Sequence, residues 1–455
     1  MNVHGKELPI PSFFQVYNFG GGNGDKDREI VYAELTGNTP ALINYFYINN
    51  SFPHKFGSKL FDGIERFNKV GDLYNHIRTE LIKKGEIFGD YSSPDYDFNQ
   101  KVFLLDSGAY NIVKQIAESV NYDDLSAFKK RIIEAAIDYY DYANRIKFDI
   151  VVGFDLGGKY TEKDGEKKNR KLMKFLAALD KNEINNALLE ATAKYIKEHP
   201  DYYPHVLATV HGYDPSEYAN NTRHILELEE RYGIRFWGFA LGGVASYKQV
   251  DPVWYSDIDF SKTGKRGFVE VVVPARAAQI VRKLVGDRPI HALGCGGYNN
   301  IALNYYCGAT SFDSATPVRR VGDGDKESPK LVFDQKRLPK VSFSKYFTGG
   351  INMDGTLRCE KPVYVKLNEV TNDMKLCGCP ACEKAGTVHG IKQLYSMKET
   401  DKEANYYSRQ LIGLHAVMQH RKLCELLPDY EDIEAFSQAY PSKLFRGLKY
   451  ISEQL

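Results

Sequence analysis

The feature that most limits how this chain can fold is a repeated alternation of short apolar runs with longer stretches of helical periodicity. The apolar runs lie at 102–110, 148–158, 205–213, 235–244, 289–297 and 309–317. Helical patterns between them include 124–146, 183–199 and 275–285. A strand followed by a helix, repeated along a chain, predicts a parallel sheet.

Each apolar run becomes polar or glycine-rich where it ends. These ends carry Asp106-Ser107-Gly108, Asp155, His211-Gly212, Gly242-Gly243 and Asp313. In a barrel, the carboxyl ends of the strands converge on one mouth, where catalytic groups collect. Two further strands fit within the first hundred residues, one of them near 41–48. We therefore predict a (β/α)₈ barrel of the TIM type, with an open doubly wound sheet as the alternative.

The length of 455 residues and a hydrophobic content of 43% allow one large domain with an appendage. We predict a barrel over 1–375, with an N-terminal extension and a basic insertion near 319–340. A zinc-binding helical subdomain with a C-terminal tail is predicted over 376–455. The basic residues of the insertion could follow a phosphate backbone, although a solvated loop has the same composition.

Charge and hydropathy restrict the partners and the compartment. Lys and Arg number 60 against 59 Asp and Glu, so a nucleic-acid site must be local and not a property of the whole surface. The N-terminus lacks the pattern of a secretory signal, and no run of 18 or more apolar residues occurs. We expect a cytoplasmic protein with no membrane partner. Its oligomeric state is open, with a homodimer among the alternatives.

Three cysteines lie within six residues, at Cys377, Cys379 and Cys382. This C-x-C-x-x-C spacing predicts a Zn²⁺ site in a reducing compartment. The predicted fourth ligand is His415, and the alternatives are His389, His420 and Cys424. Four protein ligands leave no open coordination position, so we expect a structural metal that takes no part in catalysis.

Three aspartates, Asp106, Asp155 and Asp313, follow apolar runs. One such residue is usually a helix cap or a turn residue, whereas several at one barrel mouth are typical of glycosidic-bond chemistry. One carboxylate would attack or stabilise the anomeric carbon, and another would move protons to and from the leaving group. Arg319 and Arg320 follow Asp313 and would face an anion such as phosphate, or else belong to a surface turn.

Seven short motifs, in this order, resemble the tRNA-guanine transglycosylase superfamily over about residues 100 to 420. DSGAY resembles the family's DSGGF, FDIVVGFD its base-reading strand, TVHGY its VQGG and ALGGVA its GGLA. HALGCGG is similar to HYLMGVG, FDSATPVRR to FDCVMPTR, and CGCPAC with a later histidine to the zinc signature. No single motif would suffice, and the specificity lies in their shared order.

The resemblance implies base exchange without net hydrolysis. Asp313 matches the family nucleophile, which would attack C1′, expel guanine and hold a covalent glycosyl-enzyme. Asp106 matches the general acid/base, and Asp155 would accept hydrogen bonds from the guanine N1–H and 2-amino group. Arg319 would hold an adjacent phosphate or base, with its neighbour Arg320 as a further candidate.

Other positions of the base pocket follow from the same resemblance. Gly243, with Gly242, would donate backbone N–H groups to the base carbonyl, and Tyr110 would stack on the ring. Ser107 would lie beside the pocket. His211 stands where the family usually has Gln, so its protonation is open.

Departures from the family pattern restrict the substrates. Members that take an aminomethyl base usually carry a Glu just beyond the double glycine, where this chain has Ser246-Tyr247-Lys248. A buried ammonium needs a partner, so a neutral base such as 7-cyano-7-deazaguanine (preQ0) is expected.

The features that bear on the nucleic acid are the length of the chain, the 319–340 insertion, Ala109, and the absence of an archaeal RNA-binding domain. They resemble the DpdA-type enzymes of phages and bacteria, which insert 7-deazaguanines into DNA. A phage-encoded member would work in the host cytoplasm. DNA is the preferred partner and tRNA the alternative. An inactive nucleic-acid-binding relative is the third reading, which three carboxylates facing phosphate disfavour.

Overall fold

Eight parallel strands close into a barrel in the computed structural model of the chain. The structure describes residues 1–17, 36–48, 67–83, 95–120, 124–157, 170–245, 250–261, 263, 265–315, 331–332, 340–341, 365–366, 414, 417–439 and 443–455. A hairpin of β1 (Asn2–Val3) and β2 (Lys6–Glu7) precedes the barrel. The barrel strands are β3 (Ser12–Tyr17), β4 (Ala41–Asn44), β5 (Phe103–Asp106), β6 (Ile150–Val152), β7 (His205–Val210), β8 (Gly238–Leu241), β9 (Ile290–Ala292) and β10 (Ser311–Ser314).

Closure of the barrel rests on the pairing of its last strand with its first. β10 lies between β9 and β3, with Ser311 opposite Ser12 and Asp313 opposite Phe14. This pairing confirms the TIM-type α/β barrel and excludes the open doubly wound sheet. The six apolar runs provide β5 to β10, and both additional strands lie in the first hundred residues, as predicted.

Helices surround the barrel and connect its strands. The barrel helices are α1 (Val70–Lys83), α2 (Ala109–Ser119), α3 (Leu125–Arg145), α4 (Arg170–Ala178), α5 (Lys181–Glu198), α6 (Pro215–Tyr232), α7 (Lys265–Val285) and α8 (Tyr298–Tyr306). The side chains of Asp124, Asp180 and Asp214 cap α3, α5 and α6, because each accepts a backbone N–H from the first turn. α7 begins ten residues before the predicted helical stretch and continues through Pro274.

Residues two apart on a strand point to the same side, and this alternation divides the barrel into two hydrophobic layers. The inner layer is formed by Phe14, Val16, Leu42, Leu104, Ile150, Val152, Leu207 and Ala240. The intervening residues, such as Phe103 and Phe239, pack outward against the helices. Val3 of β1 and Leu8, which follows β2, join the inner layer and close the amino-terminal end of the barrel.

The C-terminal part of the chain adds further helices to the barrel wall. Residues 417–426 are helical and lead into a 3₁₀ turn (Leu427–Asp429), α9 (Ile433–Ala439) and α10 (Lys443–Ser452). The hydrophobic residues of this region belong to the same cluster as α7 and α8. Part of the predicted 376–455 subdomain therefore shares the core of the barrel.

Three two-residue strands lie apart from the barrel in sequence. β11 (Leu331–Val332), β12 (Lys340–Val341) and β13 (Val365–Lys366) form an antiparallel sheet, and the first two fall at the predicted insertion. Within the described ranges, no helix is both long enough and apolar enough to cross a membrane.

The Tyr139 hydroxyl of α3 ties two barrel strands together below the mouth. It lies 2.8 Å from the carbonyl oxygens of both Leu105 and Val152. Tyr142, on the same helix, also has a buried hydroxyl, but that hydroxyl has no hydrogen-bond partner among the described residues.

Tyr139→Phe should destabilise the protein by about 1–3 kcal/mol, because it leaves a buried carbonyl without its donor. Tyr142→Phe removes a hydroxyl from the same helix and should leave stability unchanged or slightly higher. Chemical denaturation of both variants measures the difference. Equal losses of stability in the two variants would contradict the assignment.

Candidate active site

The strand alternation brings polar side chains to one end of the barrel. Asn44 and Asp106 lie two residues beyond the inward-facing Leu42 and Leu104, so their side chains face the barrel axis. Asp313 lies opposite the inward-facing Phe14 in the register of β10 and β3. The mouth at the carboxyl ends of the strands therefore collects carboxylates and amides, as a TIM barrel permits.

Asp106 is partly buried at the end of β5 and is held by neutral donors. The Asn44 side-chain amide donates to Asp106 Oδ2 at 2.8 Å, and the Gly108 N–H donates to the same oxygen at 3.3 Å. Gly108 has a φ of 62°, and a side chain there would collide with Asn44. The glycine of the DSGAY motif thus keeps Asn44 beside Asp106.

Asp155 lies on the loop that follows β6. The backbone of this loop is fixed from outside the barrel, because the Phe154 N–H donates to the Tyr140 hydroxyl at 2.9 Å. The Leu156 N–H donates to Asn185 Oδ1 at 2.8 Å. α3 and α5 therefore set the position from which Asp155 reaches the mouth.

The His211 side chain lies beside the Asp155 carboxylate. Its Nε2 lies 3.1 Å from Asp155 Oδ2, which also accepts the Gly157 N–H at 3.0 Å. His211 Nε2 and Asp155 Oδ2 are not aligned for a hydrogen bond. The backbone of His211 is anchored by its N–H, which donates to Asn221 Oδ1 on α6 at 3.0 Å.

Asp313 is set in a different environment. The Gly294 N–H donates to Asp313 Oδ1 at 2.6 Å, and the imidazole Nε2 of His291 lies 3.3 Å from the same oxygen. His291 is fully buried, and its Nδ1 lies 2.9 Å from the Ser311 hydroxyl. No described residue donates a hydrogen bond to Oδ2 of Asp313.

The three carboxylates share one electrostatic environment. Burial, followed by the carboxylates of Asp155 and Asp313, raises the pKa of Asp106 to about 7, against the opposing hydrogen bonds from Gly108 and Asn44. Neighbouring carboxylates disfavour each other's ionisation, which adds to the effect of burial on Asp106. The site therefore contains a carboxylic acid that gains and loses a proton near neutral pH.

The double glycine after β8 is required by close packing. A side chain at Gly242 would come within 2.6 Å of His211 Cε1 and 2.8 Å of the Thr209 methyl group. The Gly242 N–H already donates to the Val210 carbonyl at 3.0 Å. Gly243 has a φ of 74°, which favours glycine. Of the two N–H groups predicted to face the base, only that of Gly243 is left for a ligand.

The other predicted base-pocket residues follow Asp106. Ser107 is buried, and its hydroxyl accepts the Ala109 N–H at 3.2 Å. Tyr110 is 41% exposed in the first turn of α2, with Lys114 Nζ 5.6 Å from its ring. Tyr110 therefore offers an accessible ring at the mouth. Arg319 and Arg320 lie outside the described residues.

All four predicted zinc ligands, Cys377, Cys379, Cys382 and His415, lie outside the described residues, and so does the alternative His389. Of the alternatives, His420 stacks between Phe13 and Tyr298, with ring centroids 4.5 and 4.3 Å away. Cys424 is buried, which raises the pKa of its thiol. Within the described ranges, no group of three or more His, Cys, Asp or Glu could hold a metal ion.

Sequence reasoning missed three groups of the site: Asn44, His291 and the Gly294 N–H. Asn44 is detectable from the sequence, because it lies within the strand predicted near 41–48, two residues after Leu42 and therefore on the same face. His291 lies within a run that reads as apolar, and its proximity to Asp313 depends on the pairing of β9 with β10.

No protein-family model matches this chain, and a search of curated proteins finds no match. The candidate site therefore rests on its own geometry. A carboxylic acid that titrates near neutral pH, with two further carboxylates that each lie beside an imidazole, can support proton transfer and nucleophilic attack.

The raised pKa of Asp106 predicts how stability depends on pH. Because the unfolded residue ionises near 3.8, the folded state binds the extra proton between about pH 4 and 7. As the pH rises through this window, the titration of Asp106 therefore lowers the free energy of unfolding. Asp106→Asn removes the titration, so its stability relative to the wild type should be higher at pH 8 than at pH 5, by on the order of 2 kcal/mol.

Denaturation of the wild type and Asp106→Asn at both pH values measures this effect. Asp257→Asn is the control, because the hydrogen bond from Arg276 lowers the pKa of Asp257 and leaves it ionised throughout this range. A relative stability of Asp106→Asn that is the same at both pH values would refute the shared electrostatic environment.

Proposed function

We propose that this protein is a guanine transglycosylase that exchanges guanine in DNA for a neutral 7-deazaguanine base such as preQ0. The observation that carries the proposal is the meeting of Asp106, Asp155 and Asp313 at one barrel mouth, in three different environments. The ordered motifs that resemble the tRNA-guanine transglycosylase superfamily supply the reaction class.

In the first half of the reaction, Asp313 attacks C1′ of the target nucleoside. A bond forms between its carboxylate oxygen and C1′, the bond from C1′ to the guanine nitrogen breaks, and the electron pair leaves with the base. Asp106, which carries a proton up to about pH 7, protonates the departing guanine. The raised pKa of Asp106 thus suits a general acid at neutral pH.

In the second half, the same groups act in reverse. The ionised Asp106 takes a proton from the incoming 7-deazaguanine, whose nitrogen attacks C1′ and releases Asp313 as a carboxylate. Two displacements retain the anomeric configuration. The reaction consumes no water, so the product is an exchanged base and not an abasic site.

The base would be read by Asp155 and its neighbours. Asp155 would accept hydrogen bonds from N1–H and the 2-amino group, with the His211 imidazole 3.1 Å from one of its oxygens in the free protein. The Gly243 N–H would donate to the base carbonyl, and Tyr110 would stack on the ring. Ser107 would support this wall through its bond to the backbone.

The nucleic acid must present an extruded base, because a stacked guanine cannot enter a barrel mouth. Three carboxylates repel phosphate, so contacts to the backbone belong outside the mouth, and Arg319 and Arg320 are the candidates for them. No residue of the site is assigned to a 2′-hydroxyl, so the choice between DNA and tRNA is left to experiment.

The zinc site is proposed as a structural element of the 376–455 region. Cys377, Cys379, Cys382 and His415 form a thiolate and imidazole set that suits zinc. When bound, the metal would hold the segments that carry its ligands together. None of the proposed catalytic steps requires it.

Incubation of the protein with radiolabelled preQ0 and either duplex DNA or tRNA tests the proposed function. Label should enter DNA, and nucleoside analysis should show the 7-deazaguanine in place of guanine. Label in tRNA alone would assign the tRNA reaction, and label in neither would indicate an inactive relative. Asp313→Asn should abolish incorporation and the covalent adduct, because an amide is a poor nucleophile. Exchange by this variant would end the assignment.

Metal analysis and chelation test the zinc site. The purified protein should contain about one zinc per chain, and Cys377→Ser should lose most of it. A strong chelator should lower thermal stability, and activity should fall only as unfolding proceeds. A fully folded, chelated protein with selectively reduced base exchange would instead assign the metal to catalysis.

A further inference from the structure

The cross-strand contact between His291 and Asp313 has no role in the reaction proposed above. His291 is fully buried inside the barrel. Its ring is T-shaped against the ring of Phe14, with the two ring centroids 5.5 Å apart. Ser311, opposite His291 in the strand register, contacts its Nδ1 at 2.9 Å. The imidazole is thus fixed from two sides, and its Nε2 lies on the side of Asp313.

The Nε2 atom of His291 is buried and makes no aligned hydrogen bond, although it lies 3.3 Å from Asp313 Oδ1. A buried polar atom without a partner costs stability and calls for an explanation. If Nδ1 carried the only proton, a lone pair on Nε2 would face the carboxylate oxygen and repel it. When the Ser311 hydroxyl donates to Nδ1, the proton lies on Nε2 and faces Asp313. A doubly protonated ring also directs an N–H at Asp313.

We propose that His291, held by Ser311, is a positioning residue that stabilises the carboxylate form of Asp313. This inference rests on the proposed function. The Gly294 N–H donates to Oδ1, and His291 Nε2 lies 3.3 Å from the same oxygen, which leaves Oδ2 as the oxygen that bonds to C1′. Hydrogen bonds to an ionised oxygen are stronger than those to a neutral ester oxygen.

The consequence differs between the two halves of the reaction. In the second half, the incoming base bonds to C1′, the bond from C1′ to Oδ2 breaks, and its electron pair returns to Asp313. Negative charge develops on Asp313 in this step, so the two N–H groups assist it. In the first half, the carboxylate loses charge, and the same donors give no such assistance. Loss of the His291 donor should therefore slow release of the covalent adduct more than its formation.

The experiment measures the adduct of protein and nucleic acid on denaturing gels, together with base exchange, using the nucleic acid that the wild type modifies. His291→Phe keeps an aromatic ring but removes the donor. Its adduct should be released about tenfold more slowly and should accumulate at steady state. His291→Gln, which keeps an N–H donor, should restore release to near the wild-type rate. Ser311→Ala should give a smaller accumulation of adduct, because without the hydroxyl no described contact fixes which ring nitrogen of His291 carries the proton.

The control is His205→Phe, at the opposite end of the barrel strands, which should leave adduct levels unchanged. If His291→Phe does not fold, as judged by circular dichroism and thermal melting, His291→Gln and Ser311→Ala decide the matter. Wild-type adduct levels in Ser311→Ala together with slow release in His291→Gln would overturn the proposal. Wild-type release in His291→Phe would also overturn it while leaving the transglycosylase intact. Absence of adduct and exchange in the wild type would overturn the proposed function, and the role of His291 with it.

Discussion

The repulsion among three carboxylates at a closed barrel mouth is the interaction on which the candidate site depends. A parallel barrel points alternate side chains at its axis, and the carboxyl ends of β5 and β10 deliver Asp106 and Asp313 to the same opening. The loop after β6 adds Asp155. Burial, followed by the charges of Asp155 and Asp313, raises the pKa of Asp106 to about 7, so the structure leaves the proton on Asp106.

The neighbours of each carboxylate give it a separate character. Among the described residues, the donors to Asp106 are neutral, from Asn44 and the Gly108 backbone, and they limit the rise of its pKa without cancelling it. Asp155 and Asp313 each face an imidazole Nε2 within 3.3 Å. Carboxylates with different neighbours are suited to different steps of one reaction.

Much of the fold could be predicted from the sequence, because strand length, helical period and polar strand ends are local signals. The six apolar runs became β5 to β10, and their ends form the mouth. The extent of α7 could not be predicted, since Pro274 reads as a helix break. Buried apolar residues before it, such as Val272 and Val273, pack against the barrel and favour continuing the helix.

The contacts within the site were less predictable than the residues that make them. His211 was predicted to face the base, but its approach to Asp155 depends on two strand ends that are far apart in sequence. His291 was missed altogether, because its partners Ser311 and Asp313 lie on another strand and only the pairing of β9 with β10 unites them. The packing of α10 on α7 and α8 is equally non-local, and residues 443–452 therefore read as part of a separate subdomain.

The environments of the three carboxylates support the proposed choice of Asp313 as the nucleophile. A nucleophile must be ionised at neutral pH and held within a fraction of an ångström of the reacting carbon. Asp106 is disfavoured because it keeps its proton up to about pH 7. Asp155 lies on a loop beyond its strand, and its carboxylate faces the His211 imidazole. Asp313 lies within β10, which pairs with strands on both sides, so its backbone is held by the barrel wall, whereas Asp155 lies beyond its strand.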